Sequence, residues 1–174
     1  FILIAPDITN LPTSAVPFAS SLERDAKRYR MLVPSSNAAT HKGPVAINSA
    51  GKHFLWNNVT KNLIRYSDGT YGTVEKTSTI SQVNRNDVRD IAVDGANRLY
   101  ILNNQDKKIY VYNATSFAFL CKIGSGSGSG NQWGYLRDPH QMAISGNKVW
   151  VTDETSSKVV KFLMSSKCTG GTSL

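Results

Sequence analysis

The chain has 174 residues, 40% of them hydrophobic, and carries 20 Lys and Arg against 12 Asp and Glu, a formal net charge of +8. That length can bury a real core and points to one domain, and the positive balance attracts polyanions and acidic surfaces. No apolar run reaches the length of a membrane span or a signal sequence, because Phe1-Ile2-Leu3-Ile4 stops at Ala5-Pro6-Asp7.

Segment 1–40 is the least regular part. Phe1 to Ile4 and Tyr29 to Val33 read as strands, the second closed by Pro34-Ser35-Ser36-Asn37. Ser21 to Tyr29 has helix formers behind a serine cap with Glu23 close by, which allows a short helix there. Pro6, Pro12 and Pro17 make the rest extended or looped. Tyr29 to Val33 reads as the outer strand of a preceding repeat unit. The sharper alternative sends Phe1 to Ile4 out of the domain to pair with a neighbour, since an unpaired edge strand is a template for association.

From position 41 one pattern recurs, over 41–85, 86–130 and 131–174. In the middle copy, Ile91-Ala92-Val93 is closed by Asp94-Gly95-Ala96-Asn97, Leu99 to Leu102 by Asn103-Asn104-Gln105-Asp106, and Ile109 to Tyr112 by Asn113-Ala114-Thr115-Ser116, with Phe117 to Ile123 as a fourth run. Asn, Asp, Gly and Ser stand at the bends, where positive φ is cheapest, so the unit reads as a four-stranded antiparallel meander. Superposing the copies puts Ala46, Ala92 and Ala143 in one column, Phe54, Tyr100 and Trp150 in a second, and Tyr66, Tyr112 and Phe162 in a third. Four strands in a period of roughly 40 to 50 residues is the signature of a β-propeller blade. The small column suits crowded inner strands, and the aromatic columns suit the wedge between stacked sheets.

The run from Ile123-Gly124 through Gly130-Asn131-Gln132-Trp133 to Asp138-Pro139-His140-Gln141-Met142-Ala143-Ile144, with Val151-Thr152-Asp153 and Lys158 to Phe162 after it, resembles the NHL-repeat propellers. The resemblance extends over Val45 to Phe162, is clearest in the third copy, and survives before the first strand as Gly43-Pro44 and Val88-Arg89-Asp90 in the others. It implies an all-β propeller of four-stranded blades, here three clear blades plus a degenerate N-terminal unit. It says little of function, since such propellers serve as enzymes, RNA binders and protein-binding platforms. A ring of about six blades needs more chain than this. The sequence therefore reads as a partial propeller, a processed piece, a divergent four-bladed ring, or half of a ring completed by another chain; Phe1 in place of Met favours processing or truncation. Gly124 to Gly130 reads as a native crossing between blades, with no lysine and helix behind it to make a phosphate cradle.

Several residues are candidates for chemistry. Cys121 and Cys168 are disulfide candidates, to each other or to a further segment or subunit, with two free thiols as the alternative. Asn58-Val59-Thr60 and Asn113-Ala114-Thr115 are glycan acceptor sequons at bends, with Asn58 and Asn113 as the modified residues. Pro139-His140 resembles the Pro-His pair of the peptidyl-amidating lyase, a propeller enzyme of this repeat class. That enzyme needs a histidine from several blades, whereas the other copies offer Pro44-Val45 and Arg89-Asp90, and His41 and His53 lie elsewhere. His140 therefore reads as a channel-lining or hydrogen-bonded residue, and no metal site or cofactor is expected. Arg89 with Asp90 and Arg137 with Asp138 read as loop ion pairs or turns.

These readings converge on a non-enzymatic interaction or structural module. It is extracellular or at the cell surface, glycosylated, and bound to a protein partner or to itself, with Arg89, Asp90, Trp133, Tyr135, Arg137 and His140 on its loop face. A cytoplasmic location is the alternative. A nucleic-acid-binding propeller is the first alternative function and needs the scattered basic residues to converge on one face. A piece of a propeller enzyme is the second. No membrane insertion is expected.

Overall fold

The structure is a computed structural model, and it describes residues 43–67, 74–80, 82–83, 86–125, 134–164 and 168. The readings for segment 1–40, the glycine run beyond Ser125, His41 and Trp133 lie outside the described residues. All described residues belong to one compact unit, Pro34–Leu174.

Three antiparallel sheets follow one another along the chain. The first contains β1 (Val45–Ile47), β2 (His53–Asn57), β3 (Asn62–Tyr66) and β4 (Val74–Ser78); the second β5 (Val88–Val93), β6 (Arg98–Asn103), β7 (Lys108–Asn113) and β8 (Phe119–Ile123). Among the described residues the third has β9 (Pro139–Ser145), β10 (Lys148–Asp153) and β11 (Lys158–Leu163). Each sheet is a meander with spatial order equal to chain order. β5 lies beside both β1 and β9, so the sheets meet through their first strands. This is a propeller-like arrangement, all-β, with the chain crossing from one sheet to the next.

The alanine and first aromatic columns are direct cross-strand partners in every copy: Ala46 opposite Phe54, Ala92 opposite Tyr100, and Ala143 opposite Trp150. A shared register explains why the columns exist. A slip of one residue would turn every side chain to the opposite face.

The turns between second and third strands share a device. Asn57, Asn103 and Asp153 end β2, β6 and β10 and are almost wholly buried, at 2%, 0% and 2% exposure. Asn57 Oδ1 accepts from Val59 N at 2.9 Å and Thr60 N at 3.0 Å, Asn103 Oδ1 from Asp106 N at 2.7 Å, and Asp153 Oδ1 from Ser156 N at 3.3 Å. Each turn then closes on a left-handed residue: Lys61 (φ 59°), Lys107 (φ 55°) or Ser157 (φ 49°). A β-carbon makes that conformation uncommon, and the side-chain cap offsets it.

Two cores result, one on each face of the middle sheet. Phe54, Trp56 and Leu63 pack with Leu99, Ile101, Tyr110 and Tyr112 between the first and second sheets. Tyr100, Leu102, Ile109 and Val111 pack with Met142, Val149 and Val151 between the second and third, with Ile144 and Phe162 against them. The aromatic columns are thus shared between interfaces. Phe54 and Tyr112 fill one wedge, Tyr100 and Phe162 the other, and Tyr66 and Trp150 fall in neither cluster. Burying a Leu, Ile or Val side chain contributes about 1.5–3 kcal/mol, and the middle sheet does so on both faces. The outer faces are left more open: Val45, Ile47 and Val74 on the first sheet and Val159 and Leu163 on the third are exposed.

Cys121 on β8 is bonded to Cys168, with Cα atoms 5.3 Å apart. Cys168, beyond β11, is buried with Met164 in the second core, within bonding reach of β8.

Candidate functional site

In an antiparallel meander the approach to the first strand and the turn between the second and third strands lie at the same end. Backbone bonds tie the two in each copy: Trp56 N to Pro44 O at 3.1 Å, Asn104 N to Asp87 O at 2.9 Å and Glu154 N to Asp138 O at 3.0 Å. This end carries Arg89, Asp90, Arg137 and His140.

Arg89 lies on β5 where the register with β6 shifts between Val88 and Asp90. Its Nε donates to Asp87 Oδ1 at 2.5 Å and its Nη2 to Asp87 Oδ2 at 3.3 Å, while Nη1 lies 3.2 Å from His140 Nε2 on β9. His140 Nε2 is also 3.7 Å from Glu154 Oε2, in the turn after β10. Neutral His140 can accept from Arg89 through Nε2; a protonated ring cannot, and pairs with Glu154 instead. Asp87, Arg89 and His140 therefore form a polar chain that bridges the second and third sheets, with Glu154 beside the imidazole as its alternative partner.

Arg89 does not pair with Asp90. Asp90 faces inward, with Oδ1 accepting from Ile91 N at 2.9 Å and Oδ2 from Met142 N at 2.8 Å, so it joins the inner strands β5 and β9. Burial pushes its carboxyl above the ordinary carboxylate range, against the pull of those two N–H groups. Asp87 goes the other way. Burial raises it, but hydrogen bonds from Arg89 and Asn104 and the charge of Arg89 outweigh that and hold it below the ordinary range. Arg137 and Asp138 are not paired through their side chains either; their backbone N–H groups donate to Asp153 at 2.5 and 3.2 Å. Burial pushes Asp153 up and these bonds, with those from Ser156, bring it down below the usual value. Tyr135 is partly buried between Gly134 and the buried Leu136.

The buried trio Asn57, Asn103 and Asp153 escaped the sequence reading. Its signal is an Asn or Asp closing the second strand of every copy, visible in the sequence as turn composition but not as a column.

Other cations are engaged at the opposite end. Arg65 binds Glu75 at 2.9 Å and the carbonyls of Ala114 and Thr115 at 3.0 and 2.7 Å; Lys52 also pairs with Glu75, and Lys76 binds Ser116 O at 2.8 Å. Arg98 Nε holds Asp94 at 2.7 Å. Both Arg65 and Lys76 stand over the Phe117 ring, at 5.7 and 5.3 Å. Asn113 Oδ1 caps this turn by accepting from Thr115 N and Ser116 N, each at 2.9 Å. Asn58, by contrast, lies within its turn beside the capping Asn57.

No protein-family model matches the chain, and no curated protein matches it. Among solved structures it is similar to apo AztD from Citrobacter koseri, at 13% identity and a TM-score of 0.50, over 79% of this chain and 36% of that one. Further matches are the extracellular domain of BT4673 from B. thetaiotaomicron (18% identity, 76% of this chain and 17% of that one, TM-score 0.46) and the computationally designed Ika4 protein (10% identity, 79% and 99%, TM-score 0.49). The likeness to AztD is one of fold, and the class it defines is the β-propeller. The chain spans about a third of the AztD chain, 36%. No helix among the described residues is long and apolar enough to cross a membrane.

Proposed function

We propose that this protein is a non-enzymatic interaction module built from NHL-type blades, working outside the cell within a larger assembly. The observation that carries the reading is the polar cluster of Asp87, Arg89 and His140, with Glu154 beside it, which runs across two sheets at the end where turns and strand approaches gather. Its members are held by strands and capped turns, and rigid elements beneath exposed side chains are what a recognition surface needs. The Cys121–Cys168 bond fits an oxidising compartment. The exposed Val45, Ile47, Val74, Val159 and Leu163 favour an assembly in which further sheets or a second chain cover the outer faces.

The native and denatured masses of the protein purified from its source, under non-reducing conditions, test this. We expect a native mass above that of a single chain, and a denatured mass that falls when N-glycans are removed, with Asn58 and Asn113 converted to Asp by enzymatic release. A bare, unmodified single chain under both conditions would contradict the proposal. The alternative of nucleic-acid binding gains little support, because Arg65, Lys76 and Arg98 already have acceptors within the fold.

A further inference from the structure

An open cleft of about 460 Å³ lies between the first and second sheets at this same end, walled by Gly43, Pro44, Asn58 and Lys61 on one side and by Asp87 and Arg89 on the other. Its two cations differ in what they have left to give. Arg89 uses three of its five N–H groups, two on Asp87 and one toward His140, which leaves one on each terminal nitrogen among the described residues. Two parallel N–H groups at the end of a guanidinium match the two oxygens of a carboxylate. Lys61 lies across the cleft in a turn fixed by Asn57 and by its own N–H to Asn57 O at 2.7 Å. The single acid on the walls, Asp87, is already satisfied by Arg89 and by Asn104 Nδ2 at 2.6 Å, so it does not cancel the lysine.

We propose that this cleft takes a carboxylate of an acidic segment on a protein partner, held end-on by Arg89 and neutralised by Lys61. The cleft is built before the ligand arrives. Lys61 is carried on a turn closed by its own N–H, and the Arg89 guanidinium is already held by Asp87, so part of the ordering cost is met before binding. The net charge of +8 favours approach of an acidic partner. Asn58 is one of the wall residues, so a glycan there would narrow the cleft. This proposal rests on the interaction-module reading but is tested apart from it.

The probe is a capped tetraglutamate peptide, titrated by calorimetry and by backbone NMR into the unglycosylated, disulfide-bonded protein. Expected are shifts at Lys61, Val88 and Arg89, an affinity lowered about tenfold in Lys61→Gln, and no change in Lys148→Gln, an exposed lysine on another sheet. Lys61→Gln leaves the Asn57 cap in place, so its backbone spectrum should otherwise match the parent. Equal weakening by both substitutions would reduce the effect to diffuse charge and overturn the proposal. So would shifts elsewhere, or binding of a homopolymeric RNA at these residues with none of the peptide. A positive titration with a bare, single-chain native mass would leave the cleft standing and remove the assembly reading; the reverse pair would do the opposite.

Discussion

Replacing Cys121 with Ala should lower the unfolding free energy by about 4 kcal/mol, measured by denaturant unfolding against the oxidised parent. The bond joins residues 47 apart in sequence, and tying a loop of that length removes entropy from the unfolded chain by roughly that amount at room temperature. Cys168→Ala should cost nearly as much, and the double substitution little more than either, because one bond is lost in all three. The bond also fixes the chain beyond β11 onto β8, so its loss should loosen Met164 and the second core ahead of the first. A cost below about 1 kcal/mol would mean that packing alone holds the return of the chain.

Asp153→Ala should be the second large loss, about 2–4 kcal/mol, since hydrogen bonds to a buried charged acceptor are worth about 1.5–3 kcal/mol each and do not add fully. Its carboxylate takes the N–H groups of Arg137, Asp138 and Ser156, all of which would lose their acceptor. Asp153→Asn should cost less, because Asn fits the same turn at 57 and 103 and keeps one oxygen. The pH dependence follows from the depressed carboxyl. A group whose folded value lies below its unfolded one contributes stability above the unfolded value and loses it as pH falls through the folded one. The difference between parent and Asp153→Asn should therefore be full near neutrality and shrink on acidification. Asp90 carries the opposite sign. Its raised carboxyl binds its proton more tightly in the folded state, so it favours folding below the ordinary carboxylate range and loses that contribution as pH rises through its folded value.

The repeat was legible because its register is written in side-chain size. Ala46, Ala92 and Ala143 stand opposite Phe54, Tyr100 and Trp150, and a pattern of period two with turn residues at fixed offsets is what a meander imposes on sequence. Which core each aromatic enters was less legible. Tyr66, Tyr112 and Phe162 form one column, yet Tyr112 packs toward the first sheet, Phe162 toward the second, and Tyr66 in neither cluster. The face a residue enters depends on which sheet comes next, a fact of stacking and not of the repeat.

The site was legible in composition and illegible in pairing. Arg89 and His140 occupy matched places near the starts of their strands, and propeller-like stacking brings them within 3.2 Å across 51 residues. Adjacency in sequence misled for Arg89 and Asp90: successive residues near a strand point to opposite sides, so one reaches the surface while the other bonds to Met142 N inside. The buried carboxamides Asn57 and Asn103 were hidden by the same rule, since a polar residue at a bend looks solvated until the turn closes over it.

Hydrogen exchange of the backbone amides, read by mass spectrometry on the disulfide-bonded protein, tests the stacked architecture most directly. β6 and β7 are paired on both edges and covered on both faces, so their amides should be the slowest to exchange, with β2 and β10 faster and β1 and β11, at sheet edges among the described residues, faster still. If β6 and β7 exchange as quickly as β1 and β11, the middle sheet is not a shared core and the propeller-like stack that supports the recognition surface is wrong.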